Sequence, residues 1–254
     1  MATLSAVIIT RNEAHQIRRT IEALGSCDEI VIVDSGSTDN TVEICKALGC
    51  KVFYQPFAGY GAQKNFGVAQ TSGQWILSID ADEVVSPELD IELKQWKKHI
   101  PESINAWYLP RTMVFMGRAF RYSKEAAQPN LRLFKKGTAR FSDAQVHETL
   151  LVEGIKGYFK GILLHYSYRD LHHYFEKFNQ YTSYAAAEMA AKGKKVSWLT
   201  ILCRQPFEFV KMYIFQRNFM EGWPGLVWSL ISSFYPVVKY LKLKTRAYFD
   251  INTE

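Results

Sequence analysis

Cysteine is scarce in this chain, and its four thiols form no pattern. Cys27, Cys45, Cys50 and Cys203 contain no Cys-x-x-Cys pair and no cluster with histidine at zinc spacing. That argues against a disulfide framework or a zinc module and predicts reduced, mostly buried thiols of a cytosolic protein. Met1-Ala2-Thr3-Leu4 has neither a basic leader nor a cleavage site, so a signal peptide is not expected. No internal repeat and no low-complexity segment is present. The most apolar stretch, Trp223 to Leu241, is interrupted by Pro224, Gly225, three serines, Pro236 and Lys239. Its uninterrupted core falls short of the ~20 residues a bilayer-spanning helix requires.

Strong charge is also missing from most of the chain. Of the net +6, the stretch from Glu188 to Glu254 carries +5, from ten Lys or Arg against five Asp or Glu. The other 187 residues are nearly neutral. A basic tail can face nucleic acid, an anionic membrane or an acidic substrate. Here the basic residues interleave with long apolar stretches, so a nucleic-acid reader is the weakest of these and no nucleic-acid partner is expected. Tryptophans and flanking lysines fit an interfacial helix held by apolar burial and attraction to anionic lipid. The alternative is an ordinary docking helix.

What the chain has is an apolar surplus, 48% hydrophobic and 14% aromatic over 254 residues, enough for one sizeable α/β domain, or for a domain with a C-terminal appendage. Leu4 to Ile9 reads as a strand. Thr10-Arg11-Asn12-Glu13 follows as a turn with Asn12 placed to cap a helix marked by Ala14, Ile17, Ile21 and Leu24. Glu29 to Val33 is a second strand running into Asp34-Ser35-Gly36-Ser37-Thr38-Asp39, and helix Asn40 to Leu48 and strand Lys51 to Tyr54 come next. This β-α-β-α-β alternation predicts a parallel sheet with right-handed crossovers. Gly59 to Gly67 reads as a glycine-bearing loop leading into a short helix, and Ser86-Pro87 opens a helix to about Lys98. Beyond Pro101, Ala106 to Pro110, Arg111 to Met116, Leu131 to Phe134 and Gln145 to Leu151 read as short strands, closed by His165-Tyr166-Ser167-Tyr168. Helices are expected from Asp170, over Arg204 to Met220 and over Trp223 to Leu241.

The apolar run Trp75 to Ile79 ends in Asp80-Ala81-Asp82-Glu83. As a buried strand it would present these acids at its carboxyl end, where open α/β sheets bind ligands. Two carboxylates two residues apart suit a hard divalent cation that keeps positions open for phosphate oxygens, Mg²⁺ or Mn²⁺. The bland alternative is an acidic turn. Its neighbours favour the site: Thr10 to Glu13, Asp34 to Asp39, Gly61 to Asn65 and Asp80 to Glu83 should converge on one rim. Asp34 can accept from a nucleobase or ribose, Lys64 can offset pyrophosphate charge, and Asp80 and Asp82 can hold ribose and metal. Together they describe a site for a nucleotide diphosphate carrying a group to be transferred.

Val31 to Asp39, Gln63-Lys64-Asn65-Phe66-Gly67 and Asp80-Ala81-Asp82-Glu83, in this order, resemble the family two glycosyltransferases of GT-A fold over about the first 170 residues. The resemblance implies a Rossmann-like nucleotide-diphospho-sugar transferase, α/β with a mixed central sheet and a helical C-terminal extension, and an inverting reaction. It makes Asp34 a base contact, Lys64 a diphosphate contact, Asp80 a ribose contact and Asp82 the metal ligand. Thr10, Asn12, Glu13 and Ala81 belong to the same nucleotide-sugar site. Many members carry two consecutive acids where this chain has Asp34-Ser35, which leaves the base contact open.

Inversion needs a general base near the metal site. Glu148, in Gln145-Val146-His147-Glu148, and Asp143 are candidates, with Glu148 preferred. The Val-His-Glu segment, Arg132 and His165-Tyr166-Ser167 resemble the acceptor side of one branch of the family. His147 could orient Glu148 or be a core histidine, and His165 could lie beside the metal or be structural. Over its whole length, Glu221-Gly222-Trp223-Pro224-Gly225 included, the chain is similar to bacterial lipopolysaccharide core glycosyltransferases, more narrowly the heptose β-1,4-glucosyltransferases. That implies a UDP-glucose donor and a lipid A-core glycolipid acceptor, at the inner face of the cytoplasmic membrane, on a cytoplasmic, peripherally associated enzyme. Residues 1–168 would form the GT-A catalytic domain, 1–100 its nucleotide-sugar half and 101–168 its acceptor half, with 169–254 as a basic membrane-associating extension. The rivals are a same-fold transferase acting on a peptide or polyprenyl phosphate, and a non-catalytic membrane-associated module that binds nucleotide sugars.

Overall fold

A computed structural model of the chain describes residues 2–142 and 148–250, with side chains to residue 245. Its contacts divide into two compact units, Met1–Met113 with Ala127–Tyr166, and Val114–Ala126 with Ser167–Glu254. The first opens with β1 (Leu4–Thr10), α1 (Ile17–Glu22), β2 (Glu29–Asp34), α2 (Thr41–Ala47), β3 (Lys51–Tyr54), α3 (Tyr60–Gln70) and β4 (Trp75–Asp80). β1 pairs in parallel with β2 and β4, and β2 with β3, giving the order β3-β2-β1-β4. β1, β2 and β4 are largely apolar because both faces are covered, whereas the edge strand β3 is half-exposed. Ile8, Ile32 and Leu77 enter one core layer and their neighbours Val7, Val31 and Ile76 the other, as alternation of side chains along a strand requires.

The chain continues with β5 (Glu83–Val85), α4 (Pro87–Trp96), β6 (Ile104–Phe115), β7 (Arg118–Ala119), β8 (Gln128–Lys135), β9 (Ala139–Phe141), β10 (Leu150–Val152), β11 (Ile155–Tyr158) and β12 (Leu163–His165). β8 runs antiparallel to β4 and β6, and β12 parallel to β6 but antiparallel to β5. The sheet is therefore mixed, as expected. The β12–β5 register aligns His165 with Glu83, which brings the end of the last strand to the acidic turn.

Several local expectations are corrected. Asn12 is not a helix cap: α1 starts only after Gln16, and Asn12 adopts φ 57° while its Oδ1 accepts from Thr38 N–H at 2.7 Å. A short side chain that hydrogen-bonds locally tolerates this left-handed conformation. Gly61 to Asn65 is not a loop but the opening of α3. The two strands expected over 106–116 are one, β6, in which Pro110 is aligned with Pro129 of β8, so neither has an N–H to leave unbonded. Cys45 and Cys50 are buried and Cys27 is half-buried, whereas Cys203 is exposed. Burial pushes the Cys45 thiol up to about 12.

The second unit contains α5 (Leu171–Ala191), α6 (Trp198–Val210), α7 (Trp223–Ser232) and α8 (Tyr235–Asp250). The helix expected over 204–220 begins earlier, where the Ser197 side chain accepts from Thr200 N–H, and stops at Val210. A π-helical turn, Lys211–Phe215, and a 3₁₀ turn, Asn218–Glu221, follow. The single helix expected over 223–241 is two, because Pro236 sits in the first turn of α8, where a missing N–H costs nothing. Three consecutive N–H groups, of Arg121, Tyr122 and Ser123, donate to the Glu221 carboxylate at 2.6–3.0 Å. α8 is tied to α5 by Lys242 Nζ, which donates to Asn179 O, Thr182 Oγ1 and Ser183 Oγ within 2.8 Å. Among the described residues no helix is long and apolar enough to cross a membrane.

Two features of the sheet are testable. A Cβ on Gly67 of α3 would lie 2.5 Å from Val7 Cγ1 and 2.9 Å from Val33 Cγ2. Gly67→Ala should therefore destabilise by about 1–3 kcal/mol, read as a lower urea midpoint at unchanged slope. Glu29 accepts from Lys51 Nζ (2.5 Å), Ser5 Oγ (2.5 Å) and Ser72 N–H (2.7 Å). Burial raises its carboxyl, and these partners outweigh burial and lower it from 4.5 to about 2. A depressed carboxyl stabilises the fold above its unfolded value and loses that contribution as pH falls through the folded one. The stability deficit of Glu29→Gln should accordingly be full at pH 7 and shrink between about pH 4.5 and 2; a deficit constant across that range would refute the assignment.

Candidate active site

Parallel pairing brings the ends of β1, β2 and β4 to one rim, with Thr10 aligned with Asp34 and Ile9 with Asp80. The loops beyond them are stitched together. Asn12 N–H donates to Ser37 Oγ at 2.9 Å, Glu13 N–H to Thr41 Oγ1 at 2.8 Å, and Gln63 Nε2 to Ser35 Oγ at 3.0 Å. Asp34 is buried and turned into its own loop, accepting from the N–H groups of Gly36 and Ser37 at 2.9 Å and from the Ser37 hydroxyl. Its carboxylate shapes the loop before it can meet any base. Thr10 Oγ1, by contrast, is buried with no hydrogen-bond partner among the described residues, an orphan polar atom at this rim.

Across the rim runs a chain of alternating charge. Lys64 Nζ lies 2.6 Å from Glu148 Oε1 and 3.0 Å from Asp80 Oδ1. Arg132 Nη2 lies 2.7 Å from Asp80 Oδ2 and 2.6 Å from Glu83 Oε1, and Arg111 Nη1 reaches Glu83 Oε1 at 3.4 Å. Asp80 N–H also donates to Glu83 Oε2 at 2.9 Å. Lys64, Arg132 and Glu83 are almost wholly buried, and buried charges persist only when paired and hydrogen-bonded. Burial pushes the Asp80 carboxyl up, but Arg132 and Lys64 outweigh it and hold it far below the usual carboxylate range. For Glu83 burial wins: despite Arg132, its carboxyl is raised, with Asp80 and Asp82 adding to the shift. Burial lowers Arg132, and its two carboxylates raise it by more.

Asp82 stands outside this chain. Its Oδ2 faces His165 Nε2 at 3.3 Å, both side chains being 22% exposed. Two ligands in adjacent positions of an octahedral Mg²⁺ lie about 3 Å apart, so a carboxylate oxygen and an imidazole nitrogen at this spacing fit a hard divalent cation. Among the described residues no group of three His, Cys, Asp or Glu is arranged to hold a metal. A pair that leaves the other positions to phosphate oxygens and water is the donor set such ions adopt with nucleotides.

Of the residues singled out from the sequence, Lys64, Asp80, Arg132 and Glu148 meet in the charge chain and Asp82 and His165 face each other. Thr10, Asn12, Glu13 and Asp34 line the neighbouring loops. Ala81 contributes its carbonyl, which accepts from Thr20 Oγ1 at 2.8 Å. His147 and Asp143 lie outside the described residues. Sequence reasoning missed Arg111, which carries no signal beyond being basic in an apolar strand, and it put Glu83 and Gly61 on this rim without assigning either a role. A Cβ added to Gly61 would lie 2.0 Å from Ser142 O and 3.6 Å from Glu148 Cβ; only glycine lets α3 approach the segment that carries Glu148.

Residues 5–163 match the family model described as Glycosyl transferase family 2. Over 96% of its length the chain is 30% identical to the lipopolysaccharide core biosynthesis glycosyltransferase LpsC of Rhizobium meliloti, covering 92% of that protein. It is 32% identical, again over 96% of its length, to an uncharacterized glycosyltransferase of Rickettsia typhi, covering 87% of it. Among solved structures it is similar to S. aureus TarS 1-349, with a TM-score of 0.50 at 14% identity, covering 99% of this chain and 92% of that one. The fold is the GT-A fold, with a mixed central sheet and C-terminal helices.

Arg132→Met should cost about 3–5 kcal/mol in urea unfolding, because it leaves the buried Glu83 and the half-buried Asp80 without their shared cation. Adding Glu83→Gln should recover part of that loss, and strict additivity of the two substitutions would show that the pair is not coupled.

Proposed function

The chain belongs to glycosyl transferase family 2, and on that premise we propose that it is an inverting, metal-dependent hexosyltransferase moving glucose from UDP-glucose to a core heptose of a lipid A-linked glycolipid. The observation that carries the catalytic half is the Asp82–His165 pair beside the Lys64-centred chain that ends in Glu148. The acceptor half is supported by the relative from Rhizobium meliloti, which is named for lipopolysaccharide core biosynthesis.

In this reading Thr10 to Glu13 and the Asp34 loop hold the nucleoside, Asp80 the ribose, and Asp82 with His165 the Mg²⁺ or Mn²⁺. The bound ion would neutralise charge on the diphosphate as it leaves. Glu148 takes the proton from the acceptor hydroxyl while that oxygen attacks the anomeric carbon. The bond from that carbon to the diphosphate oxygen breaks, and UDP departs with the electron pair. Lys64 already holds two carboxylates, so it can meet the diphosphate only by exchanging one of them for a phosphate oxygen. Exchanging Glu148 would free the base as the donor binds, a reason for donor to bind before acceptor. Arg132 acts through Asp80, fixing its carboxylate from the side away from Lys64.

The second unit suits a lipid-borne acceptor. On α6, Leu199, Leu202, Cys203, Pro206 and Val210 recur at three- and four-residue spacing and are exposed. On α7, Trp223, Leu226 and Leu230 are exposed as well. Lys192, Lys194 and Lys195 precede α6, and apolar insertion combined with basic residues is what holds a protein at an anionic lipid surface. This moves the centre of the membrane-facing surface from the last helix to α6.

Incubation with UDP-glucose and heptose-terminated lipid A core should yield a β-linked glucosyl product only with divalent metal present. Asp82→Asn should fold normally and lose nearly all transfer. Glu148→Gln should keep donor affinity while kcat falls by about 10²–10⁴-fold. Full activity of Asp82→Asn without metal would remove the metal assignment, and preferred transfer to a peptide or a polyprenyl phosphate would replace the acceptor.

A further inference from the structure

Within the second unit the helices form a cavity of about 250 Å³ that is open on one side to solvent. Rings of Tyr168, Phe178 and Trp228 line it, together with Met212 of the π-helical turn. Some polar atoms on the wall are used locally: Tyr174 OH shares a hydrogen bond with Ser232 Oγ at 3.0 Å, and Tyr235 OH donates to Tyr181 O at 3.2 Å, whereas Trp228 Nε1 is buried with no partner among the described residues. Burial in this wall pushes the Tyr174 hydroxyl up to about 12. A space lined chiefly by rings and a thioether, with one unpaired indole N–H among the described residues, offers water few of the several polar partners it needs and suits a hydrocarbon. Thioether and aromatic surfaces adapt readily to a flexible apolar chain.

The rim differs from the interior. Lys177 Nζ stands 5.8 Å from the centre of the Tyr168 ring and donates to Ser167 O at 3.0 Å. Lys239 Nζ stands 5.8 Å from the centre of the Tyr235 ring. Of the acids nearby, Glu208 is taken by Arg204 at 2.7 Å and Lys211 at 3.2 Å. An ammonium group thus stands 5.8 Å from the centre of each of two cavity-wall tyrosine rings, one from α5 and one from α8, the latter also 5.0 Å from the centre of the Tyr240 ring. An apolar interior edged by cations complements a molecule with a hydrocarbon tail and an anionic head. No residue from Gly222 to Val238, the stretch that supplies Trp228 and Ser232, is charged.

We propose that this cavity is a lipid site, taking one hydrocarbon chain of an anionic amphiphile with its head group against Lys177 and Lys239. It deepens the reading of this unit as lipid-facing and rests on it for its biological use. A chain drawn from the bilayer into the cavity would anchor the unit more specifically than surface insertion alone.

Trp228 is a built-in reporter. Brominated dodecanoate, titrated into the full chain below its micelle concentration, should quench tryptophan fluorescence saturably. Trp228→Phe should abolish the saturable component. Ser232→Phe, which fills the cavity, should weaken it by about tenfold or more. Lys177→Gln with Lys239→Gln should weaken the carboxylate about tenfold and leave the matching brominated alcohol unaffected. Should Ser232→Phe fail to fold by circular dichroism, the lysine pair carries the test. Absence of saturable quenching, equal quenching in Trp228→Phe, or equal affinity for acid and alcohol would overturn the proposal. Sedimentation with vesicles of phosphatidylglycerol separates the two readings. Vesicle binding without quenching refutes the cavity and leaves the lipid-facing surface standing, whereas quenching without vesicle binding supports the cavity and removes the surface.

Discussion

The shared Asp80 carboxylate, gripped by Lys64 on one oxygen and Arg132 on the other, is the contact on which the rest of the site depends. Three carboxylates and three cations alternate from Glu148 to Arg111, and none of the buried members could be kept in the interior alone. Because each ion satisfies its neighbours, the chain joins α3, β4, β5, β6, β8 and the segment carrying Glu148 into one electrostatic unit. Its consequence for function is positional. The first acid of the Asp-x-Asp turn is immobilised, while the second, Asp82, is left outside with an imidazole partner, where it can serve a cation.

The same economy appears in the loops around it. Asp34 organises its own turn, Asn12 bridges two loops from a left-handed backbone, and Gly61 permits α3 to lie against Ser142. Each of these features places a side chain or a main-chain group, and each concerns geometry that spacing in the sequence does not encode. In the helical unit the corresponding device is the Glu221 carboxylate, which satisfies three successive N–H groups of residues 121–123. Those donors would otherwise be left unpaired, at a cost of about 1–3 kcal/mol for each one buried.

Much of the fold was legible beforehand because apolar periodicity is local. The alternation up to β4, the parallel pairing of its strands and the Ser86-Pro87 helix start all follow from residues that lie close together in the chain. The errors share a cause. Helix ends and breaks, as in α1, α6 and the α7–α8 junction, are set by backbone groups seeking partners and by prolines whose effect depends on their position within a turn. Reading Gly61 to Asn65 as a loop rested on glycine content, yet tertiary packing turned the glycines into close-approach positions on a helix.

By itself the sequence determined the fold class, the rim on which the acids lie and the types of residue available for chemistry, because a buried strand ending in Asp-x-Asp leaves few other arrangements. Only the tertiary structure decided the partners. It placed Lys64 between Asp80 and Glu148, made Glu83 and Arg111 members of the same network, and set His165 opposite Asp82. The reason is geometric: charge-assisted hydrogen bonds form only between atoms about 3 Å apart, and which residues come that close across as many as 84 positions of sequence is settled by sheet register and packing, not by any local pattern.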